Sequence, residues 1–185
     1  IRRGPLNPPE AGTEVFKVDS WSSTTEPAYT SNFPVDMALH RLNASGANAP
    51  NVNTRMLGAT KLLTSSNAAE SAESANVFDF MDGWYNPQGY GPFSNYYSWM
   101  WKRAPGFFDV VAFTATGAAI TLPHNLTVTP EMIILKDRSA ETIWPVYHKD
   151  LPTYRLLSLS QNSAQGAADA NQFNPAPNSQ NFYLG

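Results

Sequence analysis

The carboxylates Asp79 and Asp82 flank Phe80-Met81 and stand beside Trp84-Tyr85. A glycoside hydrolase draws on such a combination: one acid, one base or nucleophile, and rings that hold a sugar. Glu131 is a third carboxylate that a polysaccharide depolymerase could use. The plainer reading of Asp82-Gly83 is an acidic β-turn. Histidine offers less, because His40, His124 and His148 lie far apart without the H-x-H or H-x-x-x-H spacing that presents two imidazoles to one metal. His148-Lys149-Asp150 brings a His near an Asp. The simpler reading of the triplet is a polar strand end rather than an acid–base pair. A nucleophile elbow, a P-loop, a dinucleotide glycine fingerprint and an EF-hand pattern are all absent. No catalytic residue, metal or cofactor is implied, and the expectation is a protein that is not an enzyme.

Recognition is the other chemistry to consider. The stretch 84–95 carries Trp84, Tyr85, Tyr90 and Phe93 on a backbone punctuated by Gly and Pro. Rings on such a loop give contact area at small entropic cost, which makes these four the candidate binding residues for a glycan or a neighbouring subunit. The competing reading is a long connection folded over a sheet edge to cover apolar surface. In Tyr96-Tyr97-Ser98-Trp99-Met100-Trp101 the alternation of a strand lines up Tyr97, Trp99 and Trp101. That row reads as core, with a sugar-stacking platform as the alternative. Asn43-Ala-Ser45 and Asn125-Leu-Thr127 match the glycosylation acceptor pattern, which chains rich in Asn, Ser and Thr produce by chance.

The elements that must position these residues follow from composition and patterning. The chain has 185 residues, 42% hydrophobic and 12% aromatic, enough for one or two folded cores. Charged residues make up only 15%, and the net charge is −3. Nucleic-acid binding draws on clustered Lys and Arg, and the twelve present are scattered, so that partner is excluded. There is no cysteine, hence no disulfide framework and no thiolate metal site. No apolar run approaches the length of a membrane span, and no signal peptide is visible. The chain opens on Ile1 rather than Met, which suggests processing or a longer parent.

Short β-branched and aromatic runs separated by Gly, Pro, Asn and Ser clusters predict an all-β, antiparallel fold. Strands are expected at 14–19, 35–42, 52–57, 60–66, 77–81 and 95–102, then at 108–115, 118–122, 131–137, 142–148, 154–160 and 181–184. The polar stretches 64–75 and 158–171 read as irregular loops or a turn of helix. These runs recur at an offset of 94–95 residues: Asp36-Met37 and Glu131-Met132, Leu57 to Leu63 and Leu151 to Leu157, each followed by an Ala/Ser/Asn stretch. A period this long is not that of a solenoid. It predicts two tandem antiparallel β-sandwich (jelly-roll-like) units related by an internal repeat. Residues 1–12 form an extended Pro-rich linker or docking arm, 13–103 the first unit and 104–185 the second, which lacks a counterpart of the strand at 95–102 to close it; the expectation is that a longer parent chain continues into that strand, the alternative being that a partner subunit supplies it.

The second copy carries Phe113-Thr-Ala-Thr-Gly117, Leu122-Pro-His-Asn-Leu126, Val128-Thr-Pro-Glu-Met-Ile-Ile-Leu-Lys136, Ile143-Trp-Pro-Val-Tyr-His148 and Asn181-Phe-Tyr-Leu-Gly185. In that order these segments resemble a repeat domain of tail-fibre and other virion-associated proteins of tailed bacteriophages. The first copy keeps Leu57-Gly-Ala-Thr-Lys61 and Trp99-Met-Trp-Lys102, but has Thr30-Ser-Asn-Phe-Pro34 in place of the Pro-His turn. The resemblance implies a virion structural protein, a segment of a tail fibre or similar appendage contributing to assembly and host attachment. It implies partners among copies of itself, as a homo-oligomer on the pattern of trimeric fibres, and among other virion proteins. It transfers no catalytic residue. Alternatives within the same setting are a capsid decoration or head-fibre protein and a carbohydrate-binding module for host surface glycans.

Overall fold

The computed structural model describes residues 7–21, 25–42, 49–73, 76–86, 95–167 and 173–185. Along the chain run β1 (Phe16–Ser20), β2 (Tyr29–Thr30), β3 (Met37–Leu42), β4 (Asn51–Thr54), β5 (Thr60–Leu63), β6 (Ser71–Ala72), β7 (Gly83–Trp84) and β8 (Tyr96–Trp101). They continue with β9 (Ile120–Pro123), β10 (Met132–Ile134), β11 (Pro145–His148), β12 (Leu157–Ser158) and β13 (Asn181–Leu184). Apart from one 3-10 turn at Gly12–Glu14, the described regular structure is all β, and every strand pair is antiparallel.

The largest sheet has six strands in the order β1-β8-β3-β4-β5-β6. A three-stranded sheet, β10-β11-β12, and two ribbons, β2/β7 and β9/β13, complete the set. Each ribbon lies over one face of a meander. Tyr29 and Trp84 of the first ribbon pack with Ala38, Phe78, Tyr96 and Met100, and Leu122 and Phe182 of the second pack with Phe173, Ile133, Leu135 and Tyr147. Strand alternation accounts for this: Ala38 and His40, and at the corresponding places Ile133 and Leu135, point toward the ribbon.

The two meanders share a register. Met37 pairs with Thr54 and Leu39 with Val52, while Met132 pairs with His148 and Ile134 with Val146. On the next ladder Val52 pairs with Leu62, and Val146 with Leu157. Every partner is shifted by 94 or 95 residues. The turns follow suit: Arg55 N donates to Asp36 O and Lys149 N to Glu131 O, Leu57 N to Thr54 O and Leu151 N to His148 O, Thr64 N to Pro50 O and Leu159 N to Trp144 O.

The two halves meet along residues 66–70. Trp144 is buried among Val52, Leu57 and Leu62, with Met37 and Leu39 packed alongside, and its indole N–H donates to Ser66 O at 3.0 Å. Polar contacts flank the ring. Lys136 Nζ donates to Asn67 O at 2.9 Å and to Thr142 O at 2.9 Å, Thr142 N donates to Asn67 O, and Ser160 Oγ donates to Asn67 Oδ1 at 2.7 Å. Arg138 and Glu70 pair at 2.7 Å.

Several expected strands are shorter or missing. The run 108–115 forms no strand, only a bridge from Phe108 to Ala104, and 77–81 is reduced to a bridge between Val77 and Tyr85. Near the first of these, Asp109 accepts from Asn125 N and Val110 N, so side-chain capping replaces a ladder there. The segment 64–73 contains no helix but includes β6. The arm 1–12 lies partly outside the described residues; its last part leads into the 3-10 turn.

Candidate functional site

Of the four candidate binding rings, Tyr90 and Phe93 lie outside the described residues. Trp84 is 0% exposed, and this corrects its reading as a surface ring. Its indole is stacked against Tyr29 at 5.4 Å and Phe78 at 5.2 Å, and its N–H donates to Ser98 Oγ at 2.9 Å. With both faces taken and the polar edge satisfied, nothing remains for a ligand. The neighbour Gly83 allows this burial, because a Cβ there would overlap the Tyr29 carbonyl oxygen. Tyr85 is half-buried and packs against Trp21 at 6.3 Å.

Around Trp84 the aromatic cluster includes a histidine. His40 stacks on Tyr96 at 4.8 Å and meets Tyr29 and Trp84 edge-on. Burial, with Lys61 adding repulsion, lowers its pKa from 6.5 to about 4, so the ring is neutral at pH 7. Burial likewise pushes the Tyr29 phenol well up, with Tyr96 and Asp19 adding to the shift. The cluster is a packing core that encloses a neutral imidazole. It gives no opening to a substrate.

The carboxylates are not brought together as a catalytic pair. Asp79 is exposed and bound to Arg55 at 3.0 Å. Arg55 also donates to Val35 O and lies 3.6 Å from buried Asp36, which accepts from Arg103 N at 2.8 Å. Asp82 lies in the turn before β7, where its backbone carbonyl accepts from Ser31 N and Asn32 N. Glu131 is exposed in a 2.7 Å pair with Lys149, whose hydrogen bond and charge hold its carboxyl below the usual range, the reverse of what a general acid needs. One buried carboxylate escaped the sequence reading: Glu73 accepts from Asn53 Nδ2 at 2.9 Å and Asn86 Nδ2 at 3.3 Å and sits 3.5 Å from Lys61 Nζ. Nothing in the sequence marks these four as neighbours; the buried carboxylate is held by two amide donors and a lysine, which makes them a structural network.

Nor are the histidines joined. His124 Nε2 contacts Asn178 O, and His148 closes β11 with its Nδ1 accepting from Asp150 N at 3.3 Å, as expected of a polar strand end. Among the described residues no group of three His, Cys, Asp or Glu side chains is placed to hold a metal. No helix of the described residues is long and apolar enough to cross a membrane. Of the two acceptor patterns, Asn43 lies outside the described residues and Asn125 sits in an exposed turn. A groove of about 380 Å³ is lined by Tyr147, His148, Tyr154, Arg155, Leu156 and Phe173, where Arg155 donates to Gly166 O and so braces the wall.

On β8 the buried row is Tyr96, Ser98 and Met100, which faces the aromatic cluster. The expected core row of Tyr97, Trp99 and Trp101 is only half-buried. It shares its sheet face with Phe16 and Val18 of β1 and with Met37 and Leu39 of β3. The strand alternation was read correctly and the polarity inverted, because both rows are aromatic-rich and only the position of the ribbon decides between them.

A family described as a domain of unknown function, DUF7483, matches residues 22–185. The chain belongs to that family. The DUF7483 match spans both meanders and both ribbons, and it begins after β1. No curated protein and no solved structure matches the chain.

Proposed function

We propose that this DUF7483 chain is a non-enzymatic structural protein: two copies of one β-sandwich, jelly-roll-like unit, serving as a segment of a bacteriophage tail fibre or similar virion appendage. The observation that carries the structural reading is the shared register of the two meanders together with the docking of one on the other through Trp144. A chain that joins copies of a unit through a buried ring and a seam of hydrogen bonds to residues 66–70 is organised for building. The low charged content, 15%, supports the same reading, since few charges need be desolvated when such surfaces pack together. The virion setting, self-assembly and host attachment rest on the resemblance of residues 113–185 to phage appendage repeats. The test is the mass of the purified chain by light scattering, with a search for its peptides in purified virions. A stable oligomer and presence in particles are expected; a monomer at every concentration, absent from particles, overturns the proposal.

One observation favours a second reading, recognition of host glycans. Tyr97, Trp99 and Trp101 stand half-exposed in a row on a sheet face, with exposed Arg41 paired beside Tyr97. Flat sugar faces pack on such rings. Tryptophan fluorescence titrated with bacterial surface oligosaccharides tests it: a saturable change lost in Trp99→Ala supports glycan binding, and no change with any of them ends it.

A further inference from the structure

The edge of β3 that faces away from β4 is filled by β8, with Met37 opposite Trp101, Leu39 opposite Trp99 and Arg41 opposite Tyr97. By the shared register, the matching edge belongs to β10, with Met132 and Ile134 in the places of Met37 and Leu39. Among the described residues β10 pairs only with β11. Leu135 N donates to Pro145 O, and Glu131 O accepts from Lys149 N. In an antiparallel ladder the backbone groups of alternate residues point to opposite sides. Residues 131, 133 and 135 therefore point to β11, and the N–H and C=O groups of Met132 and Ile134 point outward.

The side chains agree with the backbone. Met132 is 56% and Ile134 45% exposed, whereas Met37 and Leu39 are half-buried beside the tryptophans of β8. Within 132–134 the edge holds no proline, no charge and no bulge, and its protection is its three-residue length, with Pro130 and Glu131 before it and Lys136 after it. We propose that the β10 edge is a strand-accepting site. Its partner is an antiparallel strand patterned like β8, with large aromatic side chains at alternate positions that lie over Met132 and Ile134.

The partner's chemistry is taken from within the molecule, since the same backbone in the first meander carries that kind of strand. Main-chain hydrogen bonds would supply affinity and the alternate rings specificity, as in other cases of strand addition. β8 of a second copy is a poor source, because it lies between β1 and β3 in its own sheet. The inference rests on the register and holds whether or not the virion setting does.

The test uses the whole chain and a synthetic peptide with the sequence of residues 95–103, with amide exchange read by NMR. Saturating peptide is expected to slow exchange at Met132 and Ile134 by about tenfold or more, while a peptide of the same composition with the alternation scrambled does nothing. Met132→Lys, a change at an exposed position, should weaken peptide binding about tenfold without loss of fold. Unchanged exchange with the peptide overturns the proposal. So does protection that is present without peptide and vanishes on dilution, which would mean that a second copy of the chain occupies the edge.

Discussion

The meander β3-β4-β5 has β8 and β6 along its two edges, the aromatic cluster on one face and Trp144 on the other. The meander β10-β11-β12 has the ribbon β9/β13 and its apolar cluster on one face, while Met132, Ile134 and Leu157 stand 40% or more exposed on the other. The ladders match in register; Val52 and Val146 are both buried, yet burial differs at Met37 and Met132, Leu39 and Ile134, and Leu62 and Leu157. Register is therefore a property of the unit's own turns and alternation, whereas burial depends on what is docked against it. Leu62 and Leu157 make the point at one position: the first is 6% exposed beneath Trp144, the second 40%.

Removing the ring that creates this difference should have the largest effect. Trp144→Ala is expected to cost about 3–5 kcal/mol, and urea unfolding followed by probes in each half should separate into two transitions. A single undivided transition would mean that the polar seam through Asn67 holds the halves together alone. Next comes the matched pair of truncations, compared by the same method. Leu62→Ala should cost about 2–5 kcal/mol, whereas Leu157→Ala should stay near the small effects of exposed sites, roughly 0.5 kcal/mol. Equal losses at the two positions would erase the comparison.

The histidine gives the first half a pH response. His40 occupies the place of Leu135 in the second meander. Its folded pKa, about 4, lies below the unfolded value of 6.5. The unfolded chain therefore takes up a proton first as pH falls, so this contribution to stability is complete above 6.5 and is lost progressively down to about 4. Thermal melts of the wild type between pH 7 and 4 should fall more steeply than those of His40→Leu. Parallel curves would show that His40 is not the group that responds.

A further comparison is between the two acid–base pairs that stand at matching places in the two meanders. Asp36→Asn disturbs a buried carboxylate shared by Arg55 and Arg103 and should cost about 1–3 kcal/mol. Glu131→Gln, in an exposed pair with Lys149, should leave the melting temperature unchanged. A larger loss at Glu131 than at Asp36 would reverse the ranking of the two units.

The shared register of the two meanders has its trace in the sequence: the residues that open and turn each, Asp36-Met37 and Glu131-Met132, Leu57 and Leu151, stand at an offset of 94–95. The longer strands were legible from alternation. β2, β6 and β7 were not, since two residues carry no period to read. The burial of Trp84 was hidden by its setting: Gly83 and the Gly/Pro-rich residues after it suggest a loop, whereas Gly83 serves the close approach of β7 to β2. The seam was hidden by distance along the chain, because Trp144 and Ser66 are 78 residues apart and no local pattern joins them.

At the position where the second unit carries Trp144, the first carries Pro50, and both stand immediately before the central strand of their meander. Proline has neither the large flat ring nor an indole N–H to reach a neighbour's carbonyl. The contact between the halves is consequently one-way: the later unit has a plug and the earlier one a socket, and the roles cannot be exchanged. A chain built on this rule has a polarity along its length, as an arrow does, and any larger structure that reused the joint would inherit that direction.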